Sequence, residues 1–453
     1  MVSATETGLS TALQDAFTRT IGSLNVDAEF RIRCFRTEPE LRKPPFRQPF
    51  EHGVAFQCGL TRELVLASYT QKPNDALHED EDDEVLFCAL EVDHYTITAT
   101  DPNDASVRDL VYIAKVDTSG YVPQTPLGTP TRPTRHLIEA YLSCLPPSEV
   151  YLFARAQPQY LFHASANNAQ KRALNDRQLI RWWKDVLGSI SSAKTERWWY
   201  IPGVDTENEA KSLISDRTAA GHWVYGYPYA KTDDAWTMIP RFPDDPKTRL
   251  LKSYAGNTTS KSEEASQSAV GNEDDEEEEE QGANSVTDEE EKPKTTDAGA
   301  GTRSDSHGQE PDYTETEPTN LTQHPKAVAN PRVMSVHTFW ELVSIGEECG
   351  AGRLGGFFAI KPLTPSTTVS RPSWNVTWDV FVTIWNTLMK GDFSQLTSAQ
   401  QATQQVLKEA ARLGIVPWKV KTHFNATLAT TKRVRDEPVV HNLQSIIRKK
   451  KKA

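Results

Sequence analysis

The sequence predicts an α/β (α+β) fold in which a central mixed sheet is flanked by helices, forming one large body interrupted by an acidic insertion. Three observations carry this. Short runs of branched and aromatic residues alternate with stretches of helical periodicity before residue 254. Their order, strand, loop, helix, strand, loop, helix, is that of a sheet covered by helices. From 255 to 330 the chain turns to Ser, Thr, Gly, Glu and Asp with almost no aromatic or branched apolar residues. Such a segment cannot bury enough surface to offset its ordering entropy, so it is expected to be disordered.

The runs Val85–Leu90, Leu110–Ala114 and Val150–Ala154 read as strands. Leu137, Ile138, Tyr141, Leu142 and Leu145 follow helical spacing, with Thr134 as the expected cap and Pro146-Pro147 as the stop. The next helix carries the clearest signature. Asn175 and Gln178 form a capping-box pattern, and Leu179, Trp182, Trp183, Val186, Leu187 and Ile190 follow along one face. Beyond the insertion, Ser335–Glu348, Val376–Leu388 and Ser398–Leu413 read as helices. Phe339-Trp340-Glu341-Leu342-Val343 after the insertion is as core-like as Trp198-Trp199-Tyr200-Ile201 before it. Residues 1–254 and 331–430 are therefore expected to be two parts of one body, with 255–330 looping out and 431–453 a basic tail.

Apolar residues make up 37% of the 453 and charged residues 25%, enough for a sizeable core. The net charge of −12 is uneven: acid concentrates in Glu273–Glu280, whereas the chain closes on Arg448-Lys449-Lys450-Lys451-Lys452. Cys34, Cys58, Cys88, Cys144 and Cys349 are odd in number and none shows CxxC spacing, which argues against a disulfide framework and a zinc site, so no metal is expected. Met1–Ser10 shows no basic region leading into an apolar one, and no apolar run approaches the roughly 20 residues a bilayer span needs. An intracellular protein without a membrane partner is expected. No P-loop, HExxH or GxSxG motif is present. Gly350–Gly355 fits GxGxxG but follows a predicted helix, and the next acid, Asp379, falls in another, so a helix end and turn account for it.

Three segments carry candidate chemistry. Arg241-Phe242-Pro243-Asp244-Asp245-Pro246-Lys247 holds adjacent carboxylates between prolines that stiffen the backbone; a surface turn is the plainer reading. Val116-Asp117-Thr118 ends a strand, and Gly128–Arg135 opens a helix with hydroxyls and two arginines, as a pyrophosphate requires; a simple helix cap also fits. Lys171-Arg172-Ala173-Leu174 leads into the Trp182-Trp183 helix, where basic groups beside an indole wall suit a phosphorylated, adenine-bearing cofactor. That both indoles belong to the core is the plainer reading, though successive helix positions diverge by about 100°.

Together these segments resemble the fungal histone acetyltransferase family of regulator of Ty transposition protein 109. The matching stretches are Leu152–Phe162, Leu179–Trp183, Trp198–Gly203, Phe242–Lys247 and Phe339–Leu342, on both sides of the insertion. Leu179–Leu187 also looks like a helix of the CREB-binding-protein type acetyltransferases, where a tyrosine general acid stands at the position of Trp183. An indole donates a hydrogen bond but is no useful acid, so that role is not carried over. The resemblance implies a cofactor site of Val116, Asp117, Thr118, Thr131, Arg132, Thr134, Arg135, Phe153, Arg155, Gln157, Arg172, Ala173, Leu174 and Trp182. It implies Asp117, Trp183, Asp244 and Asp245 near the reacting centre, and self-acetylation of Lys247.

What the resemblance implies is acetyl transfer from acetyl-CoA to lysine of histone H-three by a nuclear enzyme in chromatin assembly and the DNA damage response. Histone chaperones are the implied partners, and no sequence-specific nucleic-acid binding is expected. A lysine amine with a pKa near 10.4 is a free nucleophile in only about one molecule in 2,500 at pH 7, so a carboxylate such as Asp245 is expected to take or attract its proton. No cysteine lies in the matching motifs, which favours direct transfer in a ternary complex. A non-catalytic histone-binding module and an acyl-CoA transferase for small amines are the competing readings.

Overall fold

The computed structural model describes residues 4–47, 55–70, 84–100, 107–128, 131–189, 195–216, 223–263, 334–346, 349, 352–363 and 375–427. The basic tail, the insertion beyond Glu263, Ile190, residues 347–348 and Gly350-Ala351 lie outside them. Residues 1–255 with 333–453 form one compact unit and 256–332 a second. All that follows concerns the first, apart from the last residues of one helix, which fall in the second.

Its centre is a mixed ten-stranded sheet: β1 (Ala28–Arg36), β2 (Glu40–Leu41), β3 (Phe56–Thr70), β4 (Val85–Ala99), β5 (Val107–Thr118), β6 (Glu149–Arg155), β7 (Thr195–Tyr200), β8 (Val224–Tyr225), β9 (Gly355–Pro362) and β10 (Trp418–Thr422). The order is β10-β1-β3-β4-β5-β6-β9-β7-β8, with β2 on β3. The β5–β6 and β7–β8 pairs are parallel; the remaining ladders are antiparallel. β9 follows the insertion in sequence yet lies between β6 and β7, so the sheet is continuous only with both parts of the chain.

Side chains alternate across the sheet, as the two-residue strand period requires. Val150, Leu152 and Ala154 of β6 join one hydrophobic core, while Tyr151 and Phe153 join the other. The first core is covered by α1 (Ala4–Gly22), α2 (Pro133–Ser143), α3 (Asp176–Ser189), α8 (Trp378–Lys390) and α9 (Leu396–Arg412). The second lies under α5 (Ala235–Met238), the start of α6 (Pro246–Glu263) and α7 (Val336–Ile345). α4 (Glu207–Leu213) packs Ala210 on the first. Burial on both faces explains why the central strands read as unbroken apolar runs.

The mixed α/β expectation is met, with corrections in detail. α3 starts with the anticipated box: Asn175 N–H donates to Gln178 Oε1 at 3.2 Å and Gln178 N–H to Asn175 Oδ1 at 2.9 Å. α2 is capped at Arg132, with Pro133 opening the helix, not at Thr134. Proline fits that first position because its missing N–H would have no helical partner there. α6 continues to Glu263, past the expected boundary at 255.

Candidate active site

β5 and β6 run parallel, but their ladder covers only Leu110–Tyr112 against Glu149–Tyr151. Beyond it β5 continues to Thr118 and β6 to Arg155, and the two ends separate. The gap is a cleft of about 320 Å³, with Ile113–Val116 on one side and Leu152–Arg155 on the other. A shift in register between β4 and β5, where Glu91 faces Lys115 but Val92 faces Ile113, leaves Ala114 as the extra residue. Such a bulge re-aims the side chains around it.

Trp183 and Leu179 of α3 close the cleft on one side, and Pro243, Asp244, Pro246 and Arg249 on another. Of the expected residues, Val116, Phe153, Arg155, Gln157, Trp183 and Asp244 line it together. With its amide oxygen turned to the guanidinium, Gln157 accepts from Arg155 Nε at 3.1 Å. Trp182 is half-buried, its ring edge-on to that of Trp183 at 4.9 Å between centroids. Arg172, Ala173 and Leu174 are exposed ahead of α3 and do not line the cleft. Nor do Thr131, Arg132, Thr134 and Arg135: the Thr131 hydroxyl donates to Pro123 O at 2.7 Å, and Arg135 pairs with Glu139 at 2.8 Å within α2. Thr134 bonds the thiol of Cys88, which pairs with Thr118, so the start of α2 sits beside the end of β5.

The three acids occupy different situations. Asp117 is 5% exposed, and both its oxygens are engaged. Oδ2 accepts the N–H groups of Tyr160, Leu161 and Phe162 at 2.7, 2.9 and 3.0 Å; Oδ1 accepts Thr118 N–H at 2.7 Å and Lys171 Nζ at 2.8 Å. Burial lowers the proton affinity of Lys171, with Asp117 opposing that shift. Asp117 thus ties the loop after β6 to the end of β5 and has no free oxygen for substrate. Lys171 is likewise taken, donating also to Ser165 Oγ at 2.7 Å.

Asp244 and Asp245 face opposite ways. Asp244 holds a left-handed φ of 54° and its side chain is 85% exposed at the cleft mouth. Asp245 is fully buried. It caps α6, accepting Lys247 N–H at 3.0 Å, and its other oxygen pairs with Lys247 Nζ. The structure therefore presents Asp244, and not Asp245, at the cleft. Lys247 is only 1% exposed, with Nζ 4.9 Å from the Phe153 ring centroid. Burial depresses its pKa, opposed by Asp245. Phe153 thus stands between this pair and the cleft. Gly355 makes room for that ring, since a Cβ there would lie 2.7 Å from Phe153 Cζ.

The floor holds charged residues that the motifs did not point to: Arg62 of β3, Glu91 and Asp93 of β4 and Lys115 of β5. Lys115 Nζ lies 3.2 Å from Glu91 and 3.4 Å from Asp244; burial opposes its charge, but those acids outweigh burial and raise its pKa. Burial pushes the Asp93 carboxyl up to about 7, with Glu91 and Asp244 adding to the shift and Arg62 and Lys115 opposing it.

The family model of the histone acetyltransferase KAT11-type domain matches residues 146–409, which include β6, α3, the Asp244-Asp245 turn and β9. The chain belongs to this family. The KAT11-type match therefore spans one wall of the cleft, whereas β3, β4 and β5, which supply the floor and other wall, precede it. Histone acetyltransferase rtt109 of Aspergillus flavus is 26% identical over 288 residues, 54% of this chain and 41% of that protein. The Candida albicans RTT109 is 36% identical over 103 residues, 22% of this chain and 27% of that protein. The Schizosaccharomyces pombe rtt109 is 34% identical over 118 residues, 22% of this chain and 30% of that protein. The chain thus spans less than half the length of each of these relatives. The crystal structure of Rtt109 from Aspergillus fumigatus shares the fold, with a TM-score of 0.59 at 21% identity over 90% of this chain and 99% of that one.

One signal for the cleft floor is present in the sequence. Glu91 and Asp93 stand at alternate positions directly after the apolar run Val85–Leu90, so a strand that continues through them carries both on one face. Charged groups are rarely buried without a task or a partner.

Proposed function

We propose that this chain is a histone lysine acetyltransferase, transferring acetyl from acetyl-CoA to lysine of histone H-three by direct transfer in a ternary complex. The observation that carries the reading is the cleft between β5 and β6, opened by strands that stop pairing after Tyr112 and Tyr151, on a KAT11-type domain. Strand edges without a neighbour offer N–H and C=O groups to a ligand, and the pantetheine arm of CoA carries amides that match them. Arg155, Gln157 and Trp183 line the same cleft, and Trp182 stands beside it. The acids Glu91, Asp93 and Asp244 suit a lysine ammonium arriving from the other side.

Direct transfer fits the cysteines. None lines the cleft, and burial pushes Cys58 up to about 11 and Cys88 up to about 12, far from a reactive thiolate. Asp117 acts by positioning the loop from Gln157 to Lys171, and Asp245 by holding Lys247 and the turn that presents Asp244. Self-acetylation at Lys247 would replace its ammonium by an amide that keeps one N–H for Asp245. Work in the nucleus on chaperone-presented histone, in chromatin assembly and the DNA damage response, completes the reading. The basic run Arg448–Lys452 is its docking or import element.

The test is incubation with labelled acetyl-CoA and a complex containing histone H-three. Label on histone lysine supports the proposal. Histone bound without label would leave a binding module, and label on small amines alone would indicate another acyltransferase.

A further inference from the structure

A lysine ammonium must lose a proton before it can attack the thioester. The proposed reaction therefore needs an acceptor at the cleft with spare bonding capacity and a proton affinity near the working pH. The carboxylates near the cleft differ in this respect. Asp117 is saturated by backbone N–H groups and Lys171, and Asp245 is buried against Lys247. Glu91 is bound to Lys115 at 3.2 Å and accepts Trp385 Nε1, also at 3.2 Å. Asp244 is exposed to water at the rim.

Asp93 is different. It lies on the floor and is 2% exposed, and its Oδ1 accepts no hydrogen bond. Its charged contact is Arg62 Nε at 3.3 Å, an ion pair without hydrogen-bond geometry. Strand register fixes its place: Asp93 lies between Arg62 on β3 and Tyr112 on β5. An unbonded carboxylate oxygen this deep is costly unless something occupies the cleft beside it.

We propose that Asp93 accepts the proton that the substrate lysine loses on becoming a nucleophile. The inference rests on the acetyl-transfer reading and adds the residue that serves as its base. One ammonium N–H bond breaks and its proton passes to the Asp93 carboxylate. The freed nitrogen pair forms the C–N bond to the acetyl carbon, and the C–S bond breaks with its electron pair on sulfur. The second proton leaves nitrogen and goes to that sulfur, giving the acetyl-lysine, CoA thiol and a protonated Asp93, which returns its proton to solvent. The charged and titratable groups around Asp93 are Arg62 from β3, Glu91 and Tyr95 from β4, Tyr112 and Lys115 from β5, and Asp244 from the turn before α6. Burial within that set makes a carboxyl that binds its proton near neutrality, where a general base is most effective.

The experiment compares the full chain with Asp93→Asn at saturating labelled acetyl-CoA and histone H-three complex across pH. Turnover of Asp93→Asn near pH 7 should fall by about 10²–10⁴-fold with acetyl-CoA affinity retained. The wild type should lose activity as pH falls through about 7, and Asp93→Asn should lack that inflection. Glu91→Gln should move the wild-type inflection to lower pH, a readout that survives if Asp93→Asn fails to fold. A variant with full rate, or with reduced rate and an unchanged inflection, would overturn the role of Asp93. A wild type that labels no histone at any pH would instead refute the acetyltransferase reading itself.

Discussion

Replacing Lys247 by Met tests whether the turn that presents Asp244 depends on the ion pair beneath it. Lys247 and Asp245 are 1% and 0% exposed. Removing one member of so buried a pair strands the other charge, which typically costs 3–5 kcal/mol, whereas replacing both by neutral groups is far cheaper. Asp245 would still accept the N–H of residue 247, at 3.0 Å in the wild type, so the lower end applies, about 3 kcal/mol. Methionine keeps most of the apolar volume against Phe153 and Phe357, which limits any cavity contribution. Asp245→Asn with Lys247→Met removes both charges and retains a good cap, since Asn caps helices as well as Asp. Urea denaturation of the wild type, both single variants and the double variant gives the coupling. The double variant should lie within about 1.5 kcal/mol of wild type and above Lys247→Met. A loss below about 1 kcal/mol for Lys247→Met, or additive single effects, would refute the view that this pair supports the turn.

Asp117→Asn should weaken the tie to the 160–162 loop and accelerate exchange of the Tyr160, Leu161 and Phe162 amides; unchanged exchange would remove Asp117 from its positioning role. The stability difference between wild type and Asp93→Asn should depend on pH, because a carboxyl raised from 3.8 to about 7 stabilises the fold below pH 4 and loses that contribution as pH rises through 7. The change approaches about 4 kcal/mol as an upper bound, read from denaturation curves of both proteins at pH 4 and 8; parallel curves would contradict the burial of Asp93. Trp183→Ala should cost about 3–5 kcal/mol because the indole is part of the core, whereas Trp182→Ala, whose half-buried ring only packs against that core, should lower the melting temperature less and weaken acetyl-CoA binding, measured by calorimetry.

What was legible in the sequence was local. The α3 box was readable because Asn175 and Gln178 lie one turn apart, and the β6 core because Val150–Ala154 is short, branched and aromatic. β4 was seen only as far as Leu90, since the apolar pattern stops where Glu91 and Asp93 begin, yet these residues complete the cleft floor. The opposite aims of Asp244 and Asp245 depend on one left-handed residue between prolines, which residue type alone does not specify. The tie from Asp117 to Tyr160, Leu161 and Phe162 joins positions more than forty residues apart, and only the parallel placement of β6 beside β5 brings them together. A stretch without an apolar face can also continue a helix, as α6 does to Glu263.

The central claim is that acetyl transfer takes place in the gap between β5 and β6, and a plugged cleft tests it most directly. Val116 lines that gap and is half-buried, so Val116→Trp adds bulk within the cleft. Mass spectrometry of histone H-three after incubation with labelled acetyl-CoA should show labelled lysine with the wild type and almost none with folded Val116→Trp, whose acetyl-CoA binding should also be lost. Equal labelling by the two proteins would place the chemistry elsewhere on the chain and contradict the assignment of this cleft.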